Sequence, residues 1–425
     1  MDFKKIIHSW KYPSILLFGI GISNIGAWIY FIALNLIVFN MTGSALAVAA
    51  LYIIRPLATL FINLWSGSFI DRLNKKYVMI FLDILQGTLI VCLAIFSTSL
   101  WMIYVLVFLI NMASSVYEPT SFSYITRLIP REKRQRFNSL ISLIDSGAFF
   151  IGPAVTGLLF MIGSPIYAIY MNALAFFFSA IVTLFMPNVE KNDIKNITTE
   201  QKLSLKLLKE DWIVVLQFSR KFIYVMTIYF LFSVFIVMQT AIDSLEVAFS
   251  KEVISLSDSE YGFLVSIAGA GILVGALINV IFTKNLAISM LIGAGAVMVS
   301  VGYIIFAFSN HFLIAAIGVF LLAFANAFAN TGFYTFYQNN IPVEVIGRIG
   351  SLYGFVEAFL IIIATAIFAI GAQVLSIQVT VITGALMMFV LTIVLFSLTS
   401  QPSKNKFYKT VPEDMRTSDS LSNQA

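Results

Sequence analysis

From Pro13 almost to Ser400 the chain is a succession of apolar runs separated by short polar interruptions. Runs of roughly 20 residues are long enough to cross a hydrocarbon core of about 30 Å, and no soluble domain fits between them. Hydrophobic residues make up 60% of the 425 and charged residues 11%. A soluble domain is nearer a quarter charged, so water cannot be the solvent for most of this surface. The pattern predicts twelve helical spans, near 14–39, 45–70, 77–98, 101–125, 137–162, 165–187, 221–246, 258–282, 286–308, 312–338, 346–371 and 375–399. The first follows Lys4, Lys5 and Lys11 but runs past signal-peptide length without a small-residue cleavage site, and is read as a retained span.

Charge sets the expected orientation. With both ends cytoplasmic, all Lys and Arg fall on the inner side except Arg55, inside a span, and Lys251, outside. The inverse topology would translocate Arg72, Lys75, Lys76 and the Arg127 to Arg136 cluster. A multi-pass protein of a bacterial plasma membrane with cytoplasmic termini is therefore expected. The net charge of +5 is scattered over short loops and a tail, which excludes a basic nucleic-acid-binding domain. Cys92 has no partner for a disulfide or a cysteine metal cluster, and His8 and His311 stand far apart at predicted membrane edges, so no metal site is expected.

The longest interruption, from Asn188 to Arg220, divides the spans six and six. The domains expected are a half over 1–187, a cytoplasmic linker over 188–220, a second half over 221–400 and a disordered tail over 401–425. In the linker Thr198 and Gln201 resemble a capping box, and Leu205, Leu208, Trp212 and Val215 recur at helical spacing, predicting a helix at the inner membrane surface. Ile129, Pro130, Glu132, Arg136 and Ser139 recur as Ile341, Pro342, Glu344, Arg348 and Ser351, each displaced by 212 residues. The same shift pairs Glu118 with Asn330, Phe122 with Tyr334 and Asp145 with Glu357. A shift of six helices preserves orientation, so two parallel, pseudo-symmetric six-helix halves are predicted, with a substrate site between them near the midplane.

Two motifs bear on family. Gly67-Ser68-Phe69-Ile70-Asp71-Arg72-Leu73-Asn74-Lys75-Lys76, between spans two and three, resembles the loop signature G-x-x-x-D-R-x-G-R-K/R of the major facilitator superfamily. Asn74 stands where the glycine is usual, and asparagine tolerates a left-handed turn better than most residues. Gly147 to Gly157 in span five is similar to that family's antiporter signature G-x-x-x-x-G-P-x-x-G-G, with Thr156 replacing a glycine. Gly147, Gly152 and Gly157 are expected to let a helix approach closely, and Pro153 to loosen the span. The chain resembles most the macrolide-efflux branch of drug:proton antiporters, a branch that includes siderophore exporters. The resemblance implies the major facilitator fold, a conformational latch at Gly67, Asp71, Arg72, Lys75 and Lys76, and a cavity lined by spans one, four, seven and ten.

Ionisable groups inside spans usually face a cavity or a partner. Arg55, Asp83, Glu118, Asp145 and Glu357 are the candidates for proton coupling, with Glu118 first because Asn111, Ser115 and Glu118 share a helical face. The bland alternatives are a structural pair for Asp83 or Arg55 and anchoring by arginines for Asp145 or Glu357. Asp243 and Glu246, near the outer end of span seven, are read as solvated. Candidates for the substrate cavity are Asn24 and Trp28 with Asn35 on span one, Asn111 and Ser115 on span four, Gln239 on span seven, and Asn326, Asn330, Tyr334 and Tyr337 on span ten.

The expected function is secondary active transport: proton-coupled efflux of a small hydrophobic or amphipathic compound by alternating access. The partners expected are a small molecule, protons and membrane lipid, with no cofactor and a monomer as the working unit. No Walker loop, His-Glu-x-x-His or Gly-x-Ser-x-Gly motif is present, so neither ATP coupling nor an enzyme is indicated. Nutrient uptake and a non-transporting sensor are the alternatives.

Overall fold

The computed structural model describes residues 3–63, 73–189, 205–282 and 286–408. The described residues form fourteen α-helices: α1 Phe3–Thr42, α2 Ala45–Asn63, α3 Lys75–Ile95, α4 Leu100–Leu128, α5 Arg131–Ile162, α6 Ile166–Leu184, α7 Leu205–Lys221, α8 Ile223–Asp243, α9 Glu246–Glu252, α10 Asp258–Phe282, α11 Ile288–Ala307, α12 Phe312–Asn340, α13 Val343–Val374 and α14 Ile377–Thr399. Twelve stretches are long and apolar enough to cross a membrane, the seventh comprising α8 and α9 together. The fold is all-α, as the hydropathy requires, because a helix satisfies its own backbone polar groups in lipid.

The internal repeat reappears in the element boundaries. Helices α4 and α12 are each 29 residues long, and α5 and α13 each 32. Each pair is displaced by the 212 residues of the sequence repeat, and α5 and α13 both begin after an extended proline, Pro130 and Pro342. The twelve spans thus form two pseudo-symmetric halves of six. Between them α5 packs on α10 and α2 on α13, while the short α9 lies against α1, α2 and α14.

Small residues make the close crossing possible, since helices in lipid associate by packing rather than by expelling water. A Cβ on Gly262 of α10 would lie 2.8 Å from the Cα of Gly157 on α5, and one on Gly152 would lie 2.5 Å from the Cβ of Trp28 on α1. Pro153 leaves the carbonyl of Phe149 without its helical donor, and Gly269 comes against that carbonyl; Ser266 Oγ donates to the next one, Phe150 O, at 2.9 Å. Thr156, fully buried, donates to Gly152 O at 2.9 Å. Gly147 differs from its expected packing role, having nothing within 4 Å of a Cβ.

The described hydrogen bonds between the halves all lie away from the chain ends. Asn40 Nδ2 donates to Asp258 Oδ2 at 3.0 Å and Ser259 Oγ to Gly157 O at 2.9 Å. Gln373 Nε2 reaches Ser44 Oγ at 3.5 Å, and within the second half Lys251 pairs with the same Asp258. The molecule is therefore closed on the face opposite its termini.

On the terminal face, Gly67, Asp71 and Arg72 lie outside the described residues. Lys75 is buried and donates to Leu73 O at 3.1 Å; Lys76 donates to Leu184 O at 2.9 Å. Asn74 does not turn left-handed: at φ −68° and ψ 112° it caps α3, accepting from the Tyr77 amide. A short polar side chain at a helix start satisfies an otherwise orphaned N–H, which explains why asparagine serves there in place of glycine. Thr198 and Gln201 lie outside the described residues, but the linker helix exists as α7, with Val215 buried and Trp212, Ile213 and Leu216 exposed.

The tail departs from the expectation of disorder at its start. Pro402–Tyr408 forms a 3-10 helix, Tyr408 is buried, and its hydroxyl lies 2.7 Å from that of Tyr224. Asn340 Nδ2 donates to Phe407 O at 2.9 Å. Two aromatic residues in an otherwise polar segment suffice to dock one turn. Residues 409–425 lie outside the described residues.

Candidate functional site

Two cavities meet at α1. The larger, about 710 Å3, lies within the N-terminal half and is lined by α1, α2, α3, α4 and α6. The smaller, about 220 Å3, lies between the halves toward the closed face. Trp28 and Phe31 line both. They belong to an aromatic wall in which Trp28 stacks edge-on to Phe149 at 4.2 Å and to Phe31 at 5.8 Å, and Phe31 to Tyr52 at 5.7 Å.

The larger cavity collects most of the N-terminal candidates. Asn24, Trp28, Asn111, Ser115, Arg55 and Glu118 all line it. Arg55 and Asp83 do not pair. Asp83, 1% exposed, accepts from Ser179 Oγ at 2.9 Å, has no partner for Oδ1, and lines neither cavity. The helical register turns Asp83 toward α6 and Arg55 toward the cavity. Glu118 is not sequestered in mid-span but exposed at the chain-end side of the cavity, next to exposed Pro119. Neither Arg55 nor Glu118 has an ion pair among the described residues. Asp145 accepts from Asn24 Nδ2 at 2.5 Å, so Asn24 tethers α1 to α5 at the cavity's edge. Its repeat mate Glu357 hydrogen-bonds Ser233 of α8.

The cavity wall also contains polar atoms that lack partners. Asn35 and Asn172 are each 1% exposed, and neither atom of the Asn35 amide, nor Asn172 Oδ1, nor the Tyr30 hydroxyl has one. A buried polar group left unpaired costs about 1–3 kcal/mol; Asn172 Oδ1 faces Gly26 of α1, where an added Cβ would lie 2.9 Å from it.

The smaller cavity holds the pair that the sequence reading placed in solvent. Asp243 and Glu246 face it beside Tyr52, Tyr261 and Gln239, with no Lys, Arg or His in its lining. Tyr303 Oη donates to Asp243 Oδ1 at 2.6 Å, and Gln239 hydrogen-bonds the same tyrosine. Asp243 and Glu246 lie at a helix end in sequence, but the break after Asp243 turns α9 inward over the cavity. The available signal was the spacing of Gln239, Asp243 and Glu246, four and three residues apart, which puts all three on one helical face. Of the C-terminal candidates, Gln239 and Asn326 line this cavity. Asn330 donates to Asn326 Oδ1 at 3.3 Å instead of lining either cavity. Tyr334, 59% exposed, points away, and Tyr337 packs against Tyr229, with ring centroids 5.3 Å apart and the rings tilted by 45°.

Residues 16–365 match the Major Facilitator Superfamily, and the chain belongs to that family. It is 27% identical over 354 residues to the uncharacterized MFS-type transporter YfiS of Bacillus subtilis (strain 168), covering 81% of this chain and 83% of that one. To the MFS-type transporter YfmI of the same organism it is 24% identical over 320 residues, covering 72% and 76%. Among solved structures, the nucleoside transporter NupG aligns with a TM-score of 0.72 at 15% identity, over 92% of this chain and 99% of that one. A bacterial homologue of the iron transporter ferroportin in the inward-facing state aligns with a TM-score of 0.66 at 17% identity, over 92% and 99%. At such identities the likeness concerns the fold alone. The protein is a multi-pass membrane transporter that works by alternating access.

Proposed function

We propose that this transporter exports a small amphipathic compound in exchange for protons, loading from the cytoplasm and releasing on the far side. The observation that carries the reading is the cavity between the halves, with two carboxyl groups and no cationic side chain among the described residues of its lining. At about 220 Å3 it has room for a few water molecules of about 30 Å3 each, and is too small for a drug-sized cargo. Asp243 and Glu246 are its proton carriers, in place of Glu118. The span-five signature supports antiport, because Gly157 and Pro153 meet Gly262 of α10 on the seam between the halves. With the chain ends cytoplasmic, closure on the opposite face makes this the loading state, and the 710 Å3 cavity falls in the size range of ligand sites.

Energised inverted vesicles test the reading with a macrolide and a fluorescent lipophilic drug as probes. Wild-type protein should accumulate probe in the lumen, a protonophore should abolish accumulation, and Asp243→Asn with Glu246→Gln should abolish it while probe binding persists. Protonophore-insensitive accumulation would overturn proton coupling. Accumulation only in right-side-out vesicles would favour uptake.

A further inference from the structure

The larger cavity bears two opposite charges that do not meet. Arg55 lies inside span two and Glu118 inside span four, both line the cavity, and neither is ion-paired among the described residues. A charge at membrane depth is costly and marks a partner or a transported species. Here the only charged side chains in the lining are this one cation and this one anion. Both side chains are exposed and line the cavity without pairing with each other. Asp145, the nearest competing carboxylate by connectivity, is engaged by Asn24.

The second observation is independent of charge. The amide of Asn35, Oδ1 of Asn172 and the hydroxyl of Tyr30 are buried in the same wall without partners. Trp28, Phe31 and Phe176 supply the apolar surface beside them.

We propose that this cavity receives an amphipathic zwitterion, its anionic group on the Arg55 guanidinium and its cationic group on Glu118, with an aromatic or aliphatic body against Trp28, Phe31 and Phe176. The planar guanidinium suits a carboxylate, which it can take with two parallel hydrogen bonds. The inference names a cargo class for the export reading and rests on that reading only for the direction of movement.

Three ligands on one scaffold provide the test: biphenylalanine, its N-acetyl derivative, which keeps only the carboxylate, and its amide, which keeps only the amine. Binding is measured by calorimetry on the full chain in lipid nanodiscs, without a gradient. The zwitterion should bind at least about tenfold more tightly than either analogue, the scale of a charge-assisted hydrogen bond. Arg55→Gln should make biphenylalanine and its amide equivalent, and Glu118→Gln should make biphenylalanine and its N-acetyl derivative equivalent. Arg55→Lys should restore part of the carboxylate's advantage, which separates charge recognition from misfolding. Equal binding of all three by wild-type protein, binding of none, or an unchanged ranking in folded Arg55→Gln would overturn the proposal. Binding needs neither turnover nor a proton gradient. Intact zwitterion selectivity without vesicle accumulation would therefore refute export alone, and accumulation of other probes without that selectivity would refute the zwitterion alone.

Discussion

The two cavities share Trp28 and Phe31 yet differ in every respect that matters for work. The larger has opposite charges held apart, orphaned amides and room for a guest. The smaller has charges of one sign, a tyrosine hydrogen-bonded to one of them, and room for little beyond water. A site that discriminates among organic molecules needs shape and several directional contacts. A site that loads and unloads protons needs carboxyl groups that no cation fixes in the charged form. On the proposed function the two sets of requirements fall on opposite sides of one aromatic wall that includes Trp28 and Phe31.

The division of labour is broken most severely at the smaller cavity. One charge moving down 100 mV is worth about 2.3 kcal/mol, equivalent to roughly a fiftyfold concentration ratio. Asp243→Asn combined with Glu246→Gln should lose a ratio of that order in vesicle accumulation while binding in nanodiscs stays within about twofold of wild type. Loss of both together would mean that the two cavities form one site.

Arg55→Gln tests the other side. Loss of a charge-assisted contact of about 1.5–3 kcal/mol predicts a fall of roughly 10- to 100-fold in affinity for a carboxylate-bearing ligand, with proton movement unaffected. Stopped-flow measurement of proton uptake beside ligand titration would show whether the effects separate.

The wall itself is probed by Trp28→Ala, which removes the contacts to Phe149 and Phe31. Aromatic pairs contribute about 0.5–1.5 kcal/mol beyond their area, so a several-fold rise in proton leak without cargo is expected, read with a pH-sensitive dye in sealed vesicles. An unchanged leak would show that another element separates the cavities.

Gly262→Ala should disfavour the closed face, since its Cβ would lie 2.8 Å from Gly157 backbone. Overpacking costs about 1–3 kcal/mol, and a spin-label pair across the seam should report a larger open fraction. Asp83→Asn should do least: Asp83 touches neither cavity and one of its oxygens has no partner. Accumulation within about twofold of wild type is expected, given the usual small effect of changes away from a site. A large loss would return Asp83 to the coupling pathway.

The candidate residues were unevenly legible in the chain. Arg55 and Glu118 stood out because a charge within an apolar run is conspicuous against its neighbours. Asn111 and Ser115 followed from sharing a helical face with Glu118, and Asn24 and Trp28 from their place on span one. Asp243 and Glu246 did not stand out, because a carboxylate at the end of a run looks the same whether the next helix points into solvent or folds back over a cavity. Asn330 and Tyr334 share a helical spacing that leaves open which side of α12 meets a cavity: Asn330 bonds Asn326 on its own helix, and Tyr334 is exposed.

By itself the sequence determined the number of spans, the two-fold repeat and the α5 seam, because hydropathy, a constant 212-residue displacement and small-residue spacing are each local or periodic properties that survive without a partner. Only the tertiary structure decided that Asp83 lies against Ser179 rather than Arg55, that the start of the tail docks on Tyr224, and that two carboxyl groups and two unpaired charges fall on opposite sides of Trp28. Those outcomes depend on which helix faces meet, and face-to-face pairing in lipid is set by the packing of whole helices rather than by the residues of any one of them.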